Sequence, residues 1–387
     1  MPATRAGPVG IEGVPRSVGR RSAAVWLAAG AWGAGAGCSK PQPLRIGFLG
    51  GLSGRVADLG IGGRNGAQLA VDEVNATGGI DGRPLELVVR DDEQSADVAL
   101  RRLTELVDAG VSLVIGPMTS SVAVALAPLA SVRGVVLISP TAATHELSGK
   151  ADGFFRVISD APGGAAQHAA YLFSLGHRSI AVAADHQNKA FTESWTKAAL
   201  GRFTELGGRV ALDLAFQSRP GLNYSDIAQQ LAQAGADVVL FVASAADSAV
   251  LMQQLRRRDP RALFATSSWA GTEQLIALGG RAVEGTIVPQ YYDRASAAPA
   301  YRRFVDLFAK RFGDAPGYPA VNGWDAVMLG VEALRRTAQG KPLLDAVRTL
   351  RSHAGLQRKL ILDEYGDSNA PLYLTRIQNG QFVLIDE

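Results

Sequence analysis

One short loop carries the residue types best suited to hold a small polar molecule. Gly116-Pro117-Met118-Thr119-Ser120-Ser121 follows an apolar run and precedes a helical pattern, which gathers backbone amides and hydroxyls at a helix N-terminus. Such an end receives a carboxylate well, because unsatisfied N–H groups and the helix dipole both favour negative charge. A plainer role for Ser120, capping the helix, is worth about 1 kcal/mol and fits the same position. Asp91 and Asp92 end another apolar run; paired acids there hold or cap a loop more often than they perform acid–base chemistry. Gly60-Ile61-Gly62 suggests a dinucleotide fingerprint, but its third glycine would be residue 65, which is asparagine, and the preceding loop is too long for the tight turn. No GxSxG, phosphate loop or HExxH occurs, and His145, His168, His177, His186 and His353 lack metal-ligand spacing. The chain therefore reads as a binder, with no cofactor, no metal and no catalytic residue expected.

The elements that position this loop fill a chain of 387 residues, long enough for two cores. The net charge of +3 comes from the first 37 residues, where Arg5, Arg16, Arg20 and Arg21 face only Glu12. The neutral remainder lacks the basic stripe of a nucleic-acid binder. Arg16, Arg20 and Arg21, the apolar segment from Ala23 to Ala34 and Gly35-Ala36-Gly37 form the layout of an export signal. Cys38, the only cysteine, directly follows it. That placement resembles a bacterial lipoprotein signal, in which the cysteine is lipidated, although Gly35 stands where a larger apolar residue is usual; ordinary cleavage to a soluble protein is the alternative. Residues 1–37 are thus read as signal and 38–43 as anchor linker.

Beyond them, short apolar runs alternate with amphipathic stretches. Leu44 to Leu49, Leu85 to Arg90, Ser112 to Ile115 and Val135 to Ser139 read as buried parallel strands, with helices at Gly66 to Asn75, Asp97 to Asp108 and Val122 to Val132. The alternation restarts near residue 160. Strands follow at Ser179 to Ala183, Arg209 to Phe216, Asp237 to Val242 and Leu263 to Ser267. Helices fall at Ala165 to Leu175, Glu193 to Glu205, Tyr224 to Ala234 and Ala246 to Arg257. The last part adds helices at Ala300 to Phe312 and Gly323 to Thr337 and strands at Lys359 to Asp363 and Leu372 to Gln378, joined around Gly366. The fold class is α/β, two doubly wound parallel-sheet lobes with a cleft at the carboxyl ends of their strands.

Several segments resemble the type I periplasmic binding proteins of the Leu/Ile/Val-binding family. They are Ser53-Gly54, Asn65-Gly66-Ala67, Asn75 to Ile80, Asp91-Asp92, Val114 to Ser121, Leu137 to Ser148, Phe154 to Val157, Gly279 to Gly285 and Gly323 to Ala326. In order and at family spacing, they cover nearly all of the chain after Cys38. The resemblance implies a three-crossing hinge, with residues 44–157 and 286–355 in lobe 1 and 158–285 and 356–387 in lobe 2. It also implies a monomer that captures a small carboxylate, an amino acid or a relative, and delivers it to the permease and ATPase subunits of an ABC importer. A sensory receptor subunit of the same fold is the alternative.

Carried over residue by residue, the resemblance places Ser120 at the ligand's carboxylate, with Thr141 and Ala143 in the second loop and Thr144 one place late for a hydroxyl contact. Leu59 stands at an aromatic position against the ligand's side chain, and Phe191 in the second lobe covers the ligand. Ser268 falls where amino-acid binders carry a glutamate for the ligand's ammonium. A buried ammonium then needs another acid, for which Asp247 and Glu273 are the candidates. Without one, Trp269, Tyr291 and Tyr292 favour a flat or aromatic carboxylate or an amide.

Overall fold

A computed structural model describes residues 41–385, so Cys38 and the export pattern lie outside the described residues. The chain begins with β1 (Leu44–Gly50), α1 (Ala57–Ala76), β2 (Leu85–Asp91), α2 (Ala96–Asp108), β3 (Leu113–Ile115), α3 (Ser120–Arg133), β4 (Val136–Ser139) and β5 (Phe154–Arg156). These strands form a five-stranded sheet in the order β2-β1-β3-β4-β5, parallel in every pair. Helices cover both faces of such a sheet, which is why β3 and β4 are buried along their whole length and read as unbroken apolar runs.

The chain then runs through α4 (Ala161–Ser174), β6 (Ser179–Asp185), α5 (Lys189–Glu205), β7 (Arg209–Phe216), α6 (Tyr224–Ala234), β8 (Val238–Val242), α7 (Ala245–Arg258), β9 (Phe264–Thr266), α8 (Glu273–Gly279) and β10 (Ile287–Gln290). The order β7-β6-β8-β9-β10 repeats that of the first sheet. In each sheet the strand order reverses beside the first strand of the unit, between β1 and β3 and between β6 and β8. Crevices open outside the strand ends at such switch points.

After β10 come α9 (Pro299–Phe312), α10 (Tyr318–Thr337), α11 (Leu343–Arg348), β11 (Ser352–Ala354), β12 (Lys359–Ile361), β13 (Tyr373–Gln378) and β14 (Gln381–Leu384). α10 packs on α1, β3 and β4, so the chain has returned to the first sheet. β13 and β14 add an antiparallel edge to the second. Ile287–Gln290 pairs with β9 and β13, and Lys359–Ile361 pairs with Ser352–Ala354 before the chain reaches the second sheet at Tyr373. The two late strands expected to meet around Gly366 do not pair with each other.

α1 corrects the sequence reading most. It starts at Ala57 rather than Gly66, so Leu59 lies in a helix, not a loop, and Gly60-Ile61-Gly62 is helical rather than a strand-to-helix turn. Glycines lower helix propensity, but here backbone approach demands them. A Cβ at Gly60 would stand 1.9 Å from Gly51 O, and one at Gly66 1.9 Å from Ala320 O of α10.

Candidate functional site

The loops after β3 and β4 are bound into one surface by their own hydroxyls. Gly116 turns the chain at φ 123°, where a Cβ would stand 2.1 Å from Leu49 O. Ser139 Oγ donates to Pro117 O at 2.7 Å and accepts from Ala142 N at 2.9 Å. Thr141 Oγ1 donates to Met118 O at 2.5 Å. Ser120 is the first residue of α3, after the cap Thr119, and its Oγ accepts from Ala143 N at 3.1 Å. Ser120 is thus not the helix cap. Its hydroxyl welds the two loops at the positive end of a 14-residue helix.

Across from this surface stands the N-terminus of α5. Asn188, buried at the end of the β6 loop, accepts from Ser121 N through Oδ1 at 3.0 Å, and Ala190 N donates to Ser121 Oγ at 3.1 Å. The first turns of α3 and α5, one from each sheet, therefore meet. Phe191, on the same turn, lies 5.7 Å from Trp195 and 6.1 Å edge-on from Trp269, which the short turn Ser268–Ala270 presents after β9.

Together these groups enclose a cavity lined by Leu59, Met118, Ser120, Thr141, Ile158, Asn188, Phe191, Ser268, Trp269, Tyr291 and Tyr318. It draws on loops of both sheets and on the first turns of α1, α3, α5 and α10. Seven of the expected residues are in the lining: Leu59, Ser120, Thr141, Phe191, Ser268, Trp269 and Tyr291. Ala143 is not, although its amide anchors Ser120 from behind. Thr144 turns its hydroxyl to Glu146 N, capping the turn His145–Leu147. Met118, Ile158, Asn188 and Tyr318 were not singled out from sequence. Only Tyr318 carried a usable signal, since Pro316-Gly317-Tyr318-Pro319 marks a helix start on this side of the chain.

No member of that lining carries a formal charge, and the nearby acids are engaged elsewhere. Asp247, a candidate partner for a ligand amine, lies outside the lining and accepts from Arg55 Nε at 2.9 Å, Arg55 Nη2 at 2.6 Å, Ser218 Oγ at 3.2 Å, Ser244 Oγ at 2.7 Å and the hydroxyl of Tyr224. Glu273, the other, pairs with Arg294 at 2.6 Å. Asp58 accepts from Thr272 Oγ1 at 2.5 Å. Asp91 holds Leu52 N and Glu93 N at 2.9 Å, while Asp92, pushed up to about 6 by burial, holds Gln94 N. The paired acids fasten the loop after β2. Tyr292 is buried beside Arg294 and does not reach the cavity.

The arrangement offers hydroxyls, an amide and a helix N-terminus at one end and an aromatic and aliphatic box at the other. Such an arrangement is suited to holding a small molecule that has a polar end and a flat or apolar body. The space left is about 10 Å³, close to that of one water.

A family model described as periplasmic binding protein matches residues 43–381. The Leu/Ile/Val-binding protein homolog 3 of Brucella melitensis is 25% identical over 335 residues, 85% of this chain and 90% of that protein. A solved leucine binding protein from Thermotoga maritima superposes with a TM-score of 0.82 at 22% identity, over 89% of this chain and 98% of its own. A solute binding protein from R. palustris, solved with benzoate, gives a TM-score of 0.80 at 22% identity, over 89% and 95%.

Proposed function

The chain belongs to the periplasmic binding protein family, and from that premise we propose that it captures a small carboxylate lacking an α-ammonium group, an aromatic or flat acid, by closing its two sheet-bearing lobes. It then hands the ligand to the membrane subunits of an ABC importer. It binds rather than catalyses, as its relatives do. The family's setting is outside the cytoplasm, and the Cys38 pattern supports a lipid anchor there.

The observation that carries the choice of ligand is the uncharged lining. A carboxylate at the start of α3 meets the helix dipole, the Ser120 hydroxyl, whose proton is uncommitted, and Asn188, beside the loop that Thr141 fastens to Met118 O. An ammonium beside it would meet Ser268, and burying that charge without an acid costs several kcal/mol. Phe191, Trp269, Tyr291 and Tyr318 offer faces and edges to a flat body. The fold itself permits either chemistry, since its solved neighbours include a leucine binder and a benzoate-bound protein.

The placement of the lining on loops of both sheets supports closure around the ligand. The first-sheet loops hold the carboxylate, and Phe191 with the Ser268-Trp269 turn comes down from the second sheet, which removes the ligand from water. A thermal-shift screen tests the reading. A ligand at 100 times its Kd adds about 2.7 kcal/mol and raises the melting temperature by about 5 °C. Benzoate and its ring-substituted relatives should give that shift; a shift only with leucine, isoleucine or valine would refute the choice of ligand.

A further inference from the structure

Arg55 and Asp247 are 192 positions apart in sequence and belong to different sheets. Arg55 lies in the loop after β1, at the first sheet's switch point. Asp247 lies in the first turn of α7, at the second's. Both Nε and Nη2 of Arg55 bond one oxygen of the carboxylate, and its guanidinium sits 5.4 Å from the Tyr224 ring centre.

The socket is built for this visitor. The Asp247 side chain is 1% exposed, whereas that of Arg55 is 41% exposed. Ser218, Ser244 and Tyr224 aim hydroxyls at the carboxylate, and Ser244 Oγ caps α7 by accepting from Asp247 N at 3.1 Å. Asp185, whose carboxyl burial pushes up to about 6, adds a second acid to the same hollow. Every partner of Asp247 except Arg55 comes from the second sheet's side. When the lobes part, the acid keeps its hydroxyls and loses the one cation paired with it among the described residues, and a buried carboxylate without a counter-charge is unfavourable. A few residues further along, Asp58 of α1 meets Thr272 before α8, so the segment from Arg55 to Asp58 grips the second lobe at two points.

We infer that Arg55 and Asp247 form a latch that holds the cleft shut without touching the ligand and sets how long the ligand stays bound. This rests on the proposed closure of the two lobes around a carboxylate. It assigns Asp247, a candidate for a ligand's amine, to closure instead. Coupling between a buried acid and a half-exposed arginine is worth roughly a tenfold change in dissociation rate. Association should be unchanged, because the pair forms after the ligand has entered.

The test compares the full chain with Arg55→Ala, Arg55→Lys, Asp247→Asn and the Arg55→Ala/Asp247→Asn double variant. Stopped-flow with benzoate gives the rates, and small-angle scattering gives the radius of gyration with and without benzoate. Arg55→Ala, on an exposed loop, keeps the test alive should Asp247→Asn fail to fold. The latch predicts about tenfold faster release for each single variant, a larger radius at equal benzoate, and little further change in the double. Arg55→Lys should fall between, and 0.5 M salt should speed release from the wild type more than from Arg55→Ala. Unchanged release and radius, or fully additive effects in the double, overturn it. Should benzoate not bind at all, the choice of ligand fails separately, and the same release and scattering comparison made with leucine decides the latch.

Discussion

Replacing His168 with phenylalanine should make the protein more resistant to acid, by an amount the structure sets. His168 sits on α4, fully enclosed, and neither ring nitrogen has a hydrogen-bond partner. Burial alone pushes its pKa down from 6.5 to about 3. Above pH 6.5 the ring is neutral in the folded and unfolded chain alike, and it contributes no pH dependence. As pH falls, the unfolded chain takes up the proton and the folded chain refuses it, so stability drains away between pH 6.5 and 3. At 1.36 kcal/mol per pH unit the loss reaches about 2 kcal/mol at pH 5 and about 3 kcal/mol at pH 4. Phenylalanine keeps an aromatic ring against Trp195, now 6.3 Å away and edge-on, and cannot take a proton. Urea unfolding of both proteins at several pH values measures the difference, in which the other titrating groups cancel. The stability of His168→Phe minus that of wild type should rise by about 2 kcal/mol from pH 7 to pH 5. A flat difference would mean that His168 is protonated inside the fold and that the α4–α5 core is wet. Trp195 packs on Phe191, so that outcome would also undercut the dry aromatic wall of the cavity.

Three further perturbations probe other parts of the account. Asp325 is buried, with its carboxyl pushed up to about 7 by desolvation, and its Oδ1 accepts from Leu356 N at 2.9 Å. Its stabilising contribution is present below pH 4 and lost as pH rises through 7, so Asp325→Asn should gain on wild type over that range in urea unfolding, opposite in sign to His168. Gly66→Ala places a methyl 1.9 Å from Ala320 O, forces α1 from α10, and should lower stability by about 1–3 kcal/mol as read by thermal unfolding. Ser120→Ala with Thr141→Ala removes two hydroxyls from the polar end of the cavity and should weaken benzoate binding about tenfold or more in calorimetry; unchanged affinity would move the carboxylate elsewhere.

The doubly wound core was legible because its inner strands, β3, β4, β6 and β8, are buried along their whole length and write themselves as apolar runs, and even the more exposed edge strand and a helix beside it were placed correctly. Arg209–Phe216 and Tyr224–Ala234 fall at the expected residues. The start of α1 was hidden because its glycines read as helix breakers, whereas Gly60 and Gly66 answer to Gly51 O and Ala320 O, contacts set by distant parts of the chain. The β13–β14 hairpin was missed although Asn379-Gly380, both at positive φ, announces it. In the cavity, the polar end was readable from the Ser120 and Ser139 loops. Met118 and Ile158 carry nothing to distinguish them from core residues, and Asn188 reads as loop chemistry until Ser121 N is found opposite it. Asp247 illustrates the limit most clearly, since an acid at a strand mouth reads the same whether it awaits a ligand or an arginine 192 positions away.

The most direct test of the central claim is calorimetric titration of the chain with benzoate and, separately, with phenylalanine and leucine, in wild type and in Ser268→Glu. The uncharged lining predicts that wild type prefers benzoate by at least tenfold. It also predicts that Ser268→Glu weakens benzoate while improving the amino acids, because the new carboxylate repels an anion and pairs with an ammonium. Tighter binding of leucine than of benzoate by the wild type would contradict the account.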